Sequence, residues 1–207
     1  MPAIITDTFD YNDIVRVLDL DDAFVHHQID ALQSKYWRIV IKTKPKGLKI
    51  FSPVIVSGNR GIDYMIYMLS RNWQITKKQR LLDYMYFGVY RQSDGFHLVG
   101  FTYLDSNPLA KAEKVFFTPH FFDRYRERTG LPMVMPKMEV MKDWIMKNLH
   151  LNSDAQDNEK YPDGIFCVYP SGVALGRELP DGNSEMKTFV TYDMLRGEQV
   201  EKSENQN

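Results

Sequence analysis

The sequence predicts an α+β protein: an antiparallel sheet with two packed helices in the C-terminal half, and a β-rich N-terminal region with one helix. Three observations carry this prediction. Aromatic and β-branched runs recur between Gly- and Pro-containing turns, as in "LDYMYFGVYRQSDGFHLVGFTYLD". Residues 118–129 place aromatics on one side and charges on the other at helical spacing. Beyond residue 164, "IFCVYP", "GVALGREL" and "MKTFVTYDML" follow one another across "PSG" and "PDGN", the spacing of an antiparallel meander. At 207 residues the chain is long enough to bury a sizeable core.

Taken in order, residues 20–34 fit a helix with Leu20, Phe24, His27 and Ala31 along one stripe and acidic residues in its first turn. His26 and His27 are adjacent, hence about 100° apart, and cannot form an i, i+4 metal clamp. "KYWRIVIKTKPKGLKIFSPVIVS" reads as a two-stranded hairpin turning at "KPKG". Lys42, Lys44, Lys46 and Lys49 then cluster at its tip, either keeping an edge soluble or touching phosphate. "SGNRG" lacks the Lys-Ser/Thr ending of a phosphate loop. "RGIDYMIYMLSRNW" fits a strand or a helix, and the runs flanking "QSDG" form a second hairpin that makes His97 a strand residue.

"KVFF" is a short strand entering a helix that Thr118 caps, Pro119 opens and Gly130 ends, with Pro132 beyond. "PKMEVMKDWIMKNLH" gives a second helix with an apolar stripe of Met138, Met141, Ile145 and Leu149. Residues 152–164 read as a polar loop and 197–207 as a disordered tail.

A formal net charge of -1 provides no global field for a polyanion, so such a partner must meet a local basic patch. The single cysteine, Cys167, excludes an intramolecular disulfide and a cysteine-based zinc site, and its neighbours make it a small buried strand residue. The first residues lack a signal-peptide pattern and no apolar run is long enough to span a bilayer. The expectation is a cytoplasmic protein with no membrane partner.

The segment "FFTPHFFDRYRERTG" concentrates the chemistry. His120, Arg124 and Arg128 fall within one helical sector, with Asp123 and Glu127 extending it and Phe121, Phe122 and Tyr125 opposite. Two readings compete: a solvated face of i, i+3 and i, i+4 ion pairs, or a phosphate site at the positive end of a helix dipole. In "GVALGREL", alternation puts Arg177 in line with Val173, Leu175 and Leu179, where a charge is costly unless it is paired or lines a cleft. Thr188 and Thr191 point oppositely, so one at most joins such a cleft; Thr188, sharing a face with Tyr192, is the choice.

The helix "TPHFFDRYRERTG", a second helix, and a meander carrying "GVALGRE" and "KTFVT" together resemble the barnase, EndoU, colicin and RelE superfamily of small ribonucleases and toxins, especially its phage and mobile-element members. The resemblance covers residues 113–196. It implies a metal-independent endoribonuclease without cofactors, RNA as substrate, and a protein antitoxin or assembly partner. His120 would be the general acid or base, Arg124, Arg128 or Arg177 would hold the phosphate, Thr188 would add a hydrogen bond, and Tyr192 would line the substrate site. The resemblance does not account for residues 1–112, an N-terminal α+β region whose role the sequence does not indicate. No second histidine matches the leaving-group acid, which favours the alternative, a non-enzymatic α+β module that binds RNA or protein. A metal-dependent hydrolase using His120, Asp123 and Glu127 stands third, because Arg124 and Arg128 crowd that face with positive charge.

Overall fold

The computed structural model describes residues 5–102, 113–148, 156–158 and 161–195. The chain divides into two compact units, Met1–Ser93 and Asp94–Asn207.

The first unit opens with a helix much longer than the expected one, α1 (Tyr11–Thr43). Asp10 caps it by accepting from the Asp13 backbone N–H, while Asp13 accepts from that of Asp10. Its buried residues are Ile14, Val17, Leu18, Asp21, Val25, Ile29, Tyr36 and Val40, a stripe whose members recur mostly at spacings of three, four or seven. Leu20 of the expected stripe is 55 % exposed and His27 and Ala31 are exposed too, because the first turns, which the expected boundaries left out, set a different phase. The same stripe explains why "KYWRIVIK" is not a strand. Tyr36 and Val40 continue the phase of Ile29, and tertiary packing of that face overrides the β preference of Ile39, Val40 and Ile41.

The hairpin expected at "KPKG" is therefore a helix end followed by short strands. Lys44 takes the left-handed conformation at the C-cap, and β1 (Lys49–Ile50) and β2 (Val54–Ser57) pair in turn with the same edge of β3 (Ile62–Ser70). A second helix, α2 (Trp73–Gln79), lies where none was assigned, capped by Asn72 and tied to β3 by the buried Ser70 and Thr76 hydroxyls at 2.9 Å. The unit closes with β4 (Asp83–Gln92), antiparallel to β3. Among its described residues the N-terminal region thus has two helices where one was expected.

Asp21 is 1 % exposed on the inner face of α1. It accepts from Arg60 and, at 3.0 Å, from the Tyr64 hydroxyl, which ties the loop before β3 to the helix. Gly58 belongs to that clamp, since a Cβ there would lie 2.7 Å from the Ile62 carbonyl oxygen and 3.0 Å from Asp21 Oδ2.

In the second unit, β5 (Gly95–Thr102), β6 (Glu113–Phe117), β7 (Gln156–Asn158), β8 (Tyr161–Tyr169), β9 (Gly172–Glu178) and β10 (Ser184–Val190) pair in the order β5, β6, β10, β9, β8, β7. The predicted meander β8, β9, β10 is antiparallel. The sheet as a whole is mixed, correcting the antiparallel expectation, because β6 and β10 run parallel. The chain reaches β10 only after two helices and the meander, and such a crossover returns a strand in parallel orientation.

These helices are α3 (Pro119–Arg128) and α4 (Lys137–Lys147). Thr118 caps α3, accepting from the Phe121 backbone N–H, with Pro119 at its start as expected. Of the stripe assigned to α4, Met141 and Ile145 are buried and Met138 partly so, whereas Leu149 lies outside the described residues. Phe121, Phe122 and Tyr125 have no exposed surface and pack with Trp144 of α4, Phe117 of β6 and Phe189 of β10, with centroids 5.0–6.2 Å apart. Burying each phenylalanine contributes about 1.5–3 kcal/mol.

Burial raises the Tyr64 and Tyr125 hydroxyls above the ordinary tyrosine value, reinforced by Asp21 and Asp143 respectively. The unfolded chain ionises them near pH 10. Their contribution is therefore complete below that pH and declines as pH rises above it, because the folded state then holds more protons than the unfolded one. Tyrosinate absorbance followed alongside circular dichroism should show these two residues titrating only with alkaline unfolding. A titration complete while the dichroism is still native contradicts this.

Candidate functional site

The helix face identified in the sequence is mostly engaged in holding the fold. Arg128 donates to the Phe189 carbonyl oxygen, pinning the end of α3 to β10. Arg126 donates to Asp123 at 3.1 Å and to the Met133 carbonyl at 3.1 Å, and Lys137 also pairs with Asp123. Arg124 pairs with Glu127 at 2.8 Å, and its Nε donates to His120 Nε2 at 3.3 Å. His120 is exposed on the first turn, Glu127 is exposed two turns on, and Arg124 between them is partly so.

Arg177 and Thr188 lie on the other side of the sheet. Phe189 packs on Phe121 and Tyr125, so its neighbour Thr188 points away from α3. Thr188 is opposite Leu175, and Leu175 and Val190 join Phe166, Val173 and Leu195 in an apolar cluster on that far face. Two residues further along β9, Arg177 shares the face, as its alternation with Leu175 predicts. The sheet thus separates His120, Arg124 and Arg128 from Arg177 and Thr188, and the five do not line one surface. Tyr192 lies past the strand in a short 3-10 turn, where its hydroxyl donates to the Tyr169 carbonyl oxygen and burial raises its pKa.

On the far face Arg177 meets an acid, Glu185, that is not among the residues expected from the sequence. Its Nε donates to Glu185 Oε2 at 2.6 Å, and Lys187 Nζ is 3.4 Å from the same oxygen. Glu185 is only 5 % exposed, whereas the Arg177 and Lys187 side chains are about half exposed. Lys114, itself buried, belongs to this face of β6, because Phe117 points to the helices and Lys114 is an odd number of residues away.

Two devices place these groups. The "PDGN" connection pairs Glu178 with Ser184 and therefore Arg177 with Glu185. A β-bulge then passes Lys187, so that Met186 opposes Gly176 while Thr188 opposes Leu175. Without the extra residue Glu185 and Thr188, three apart, would face opposite sides; with it they share one. Gly176 permits the close pairing, since a Cβ there would be 2.0 Å from the Glu185 carbonyl oxygen. Gly176→Ala should destabilise the protein by about 1–3 kcal/mol, the usual range for overpacking. An unchanged denaturation midpoint contradicts that pairing.

Arg177 and Glu185 are equidistant from the turn, so their pairing is legible in the sequence once the hairpin register is known. Cys167 is buried, as its neighbours predict. Among the described residues no three His, Cys, Asp or Glu side chains gather as a metal site would require, and no helix is long and apolar enough to cross a membrane. No family model, curated protein or solved structure matches the chain.

Proposed function

We propose that the second unit is an RNA-cleaving module, as its resemblance to small ribonucleases implies, and that its reactive centre is the sheet face carrying Glu185, Arg177 and Lys187. One observation carries this reading: a nearly buried carboxylate is fixed between two half-exposed cations on a strand pair, with a threonine hydroxyl on the same face. Arg177 and Lys187 suit a phosphodiester, the guanidinium bidentately and the ammonium as a point charge. Glu185 is the base that takes the proton from the ribose 2′-hydroxyl as that oxygen attacks phosphorus; the P–O5′ bond breaks, solvent water protonates the departing 5′-oxygen, and the cations offset the charge growing on phosphorus. Glu185 also orients Arg177, so the arginine reaches the phosphate already ordered.

A second reading is favoured by the same geometry. A carboxylate held by two cations is a weak base, which suits a module that binds RNA through Arg177 and Lys187 without cleaving it. The two part in one assay: incubation of labelled RNA with the protein in EDTA, with products resolved by size and end chemistry. Cleavage to 2′,3′-cyclic phosphate ends, with DNA left intact, supports the enzyme. Retention of intact RNA that is weakened by Arg177→Ala with Lys187→Ala supports the binding module.

A further inference from the structure

We infer that the first unit carries a docking surface for single-stranded nucleic acid where α1 ends, residues 44–49 follow and α2 begins. This surface is independent of any cleavage by the second unit. Between residues 35 and 82 the chain holds eleven Lys and Arg against one acid, Asp63, although the whole protein is close to neutral. Two of these cations have a structural partner: Arg60 binds Asp21 and Arg71 binds Asp83. The other nine are exposed, and none forms an ion pair among the described residues.

Their placement is ordered. Lys35, Arg38 and Lys42 occupy one sector of α1, about 60° wide and opposite its buried Tyr36 and Val40. Lys44 and Lys77 both place Nζ over the ring of half-buried Trp73, at 5.7 and 5.9 Å. The Trp73 backbone N–H donates to the Pro45 carbonyl at 3.0 Å, which fixes the indole beside the helix end. Lys49 lies 6.0 Å from the Phe51 ring, which packs on Tyr36 at 4.6 Å. Lys46, Lys78 and Arg80 complete the exposed set.

A helix dipole is satisfied by one or two cations in the last turn, and lysines kept for solubility are normally interspersed with acids. Nine exposed cations sharing a segment with one acid repel each other, and a phosphate backbone relieves that repulsion by releasing counterions. Aromatic rings set among the cations add surfaces for bases, worth about 1–3 kcal/mol per stacked base. An anionic lipid surface would also attract the charge. Insertion, however, requires a continuous apolar face, and the exposed Leu48 and Ile75 are each flanked in the chain by lysine within three residues.

The test is fluorescence anisotropy of a labelled 2′-O-methyl oligouridylate, which no 2′-hydroxyl mechanism can cleave, with the full chain between 50 and 200 mM salt. The wild type should bind with steep salt dependence. Lys44→Glu, Lys46→Glu and Lys77→Glu combined should weaken binding more than tenfold at 50 mM and flatten the log–log salt slope by about 2, at roughly 0.7 per cation lost. Should charge reversal disturb the fold by circular dichroism, the corresponding glutamine substitutions should give the same order with a smaller step. Unchanged affinity and slope overturn the proposal. So does loss of binding in Arg124→Ala with Arg177→Ala but not in the lysine variants, which would put the surface in the second unit. Binding to phosphatidylserine vesicles but not to the oligonucleotide overturns it in favour of a membrane surface.

Discussion

Glu185→Gln is expected to lower RNA cleavage by about 10²–10⁴-fold, the range for removing a positioned base, with little change in the affinity for RNA. The amide keeps the shape of the carboxylate and can still accept from Arg177, but it takes up no proton. Arg177→Ala should reduce both rate and binding, since it removes the phosphate contact. His120→Ala should leave the rate near wild type, because His120 is on α3 and the sheet lies between it and Arg177. Circular dichroism must show that each variant is folded, as Glu185 is nearly buried. The opposite result, a rate lost in His120→Ala and kept in Glu185→Gln, would move the reaction to the helix face. If the wild type binds RNA without cleaving it, and Arg177→Ala with Lys187→Ala weakens that binding, the binding module is correct.

Asp21→Ala is expected to destabilise the first unit by about 3 kcal/mol, the lower end of the range for breaking a buried ion pair from one side, since Arg60 retains some solvent exposure. It leaves the Arg60 charge and the Tyr64 hydroxyl without their acceptor. Tyr64→Phe removes one neutral donor and should cost less, about 1 kcal/mol. In a double-mutant cycle the two should be strongly non-additive, because both act through one carboxylate. Denaturant titration followed by far-ultraviolet dichroism reads both. A loss under 1 kcal/mol in Asp21→Ala would mean that the loop before β3 is held by other contacts.

The parts of the fold legible in the sequence are those specified by local signals. Thr118 and Pro119 start α3, the aromatic side of that helix is the buried one, and the turns of the meander set its strands, so each could be read within about a dozen residues. The α1 error shows the limit of that reading. A stripe drawn over 20–34 alone leaves out the buried Ile14 and Val17, and without them the wrong face is the more apolar one. Asp21 disguised the true stripe further, since a carboxylate is an inner-face residue only when a distant arginine and tyrosine arrive to bind it.

The candidate site divides in the same way. Alternation placed Arg177 beside Leu175, and the symmetry of the "PDGN" turn held the pairing with Glu185. The α+β class, the two-sided helix, the buried Cys167 and the local concentration of lysines are properties of the sequence itself, fixed by composition and short-range spacing. Only the tertiary structure decided the parallel pairing of β6 with β10, the bulge at Lys187, and the separation of His120 from Arg177 by the sheet. Each depends on residues far apart in the chain meeting in one register, and a periodicity confined to one element gives a residue's face on that element but not which face of another it will meet.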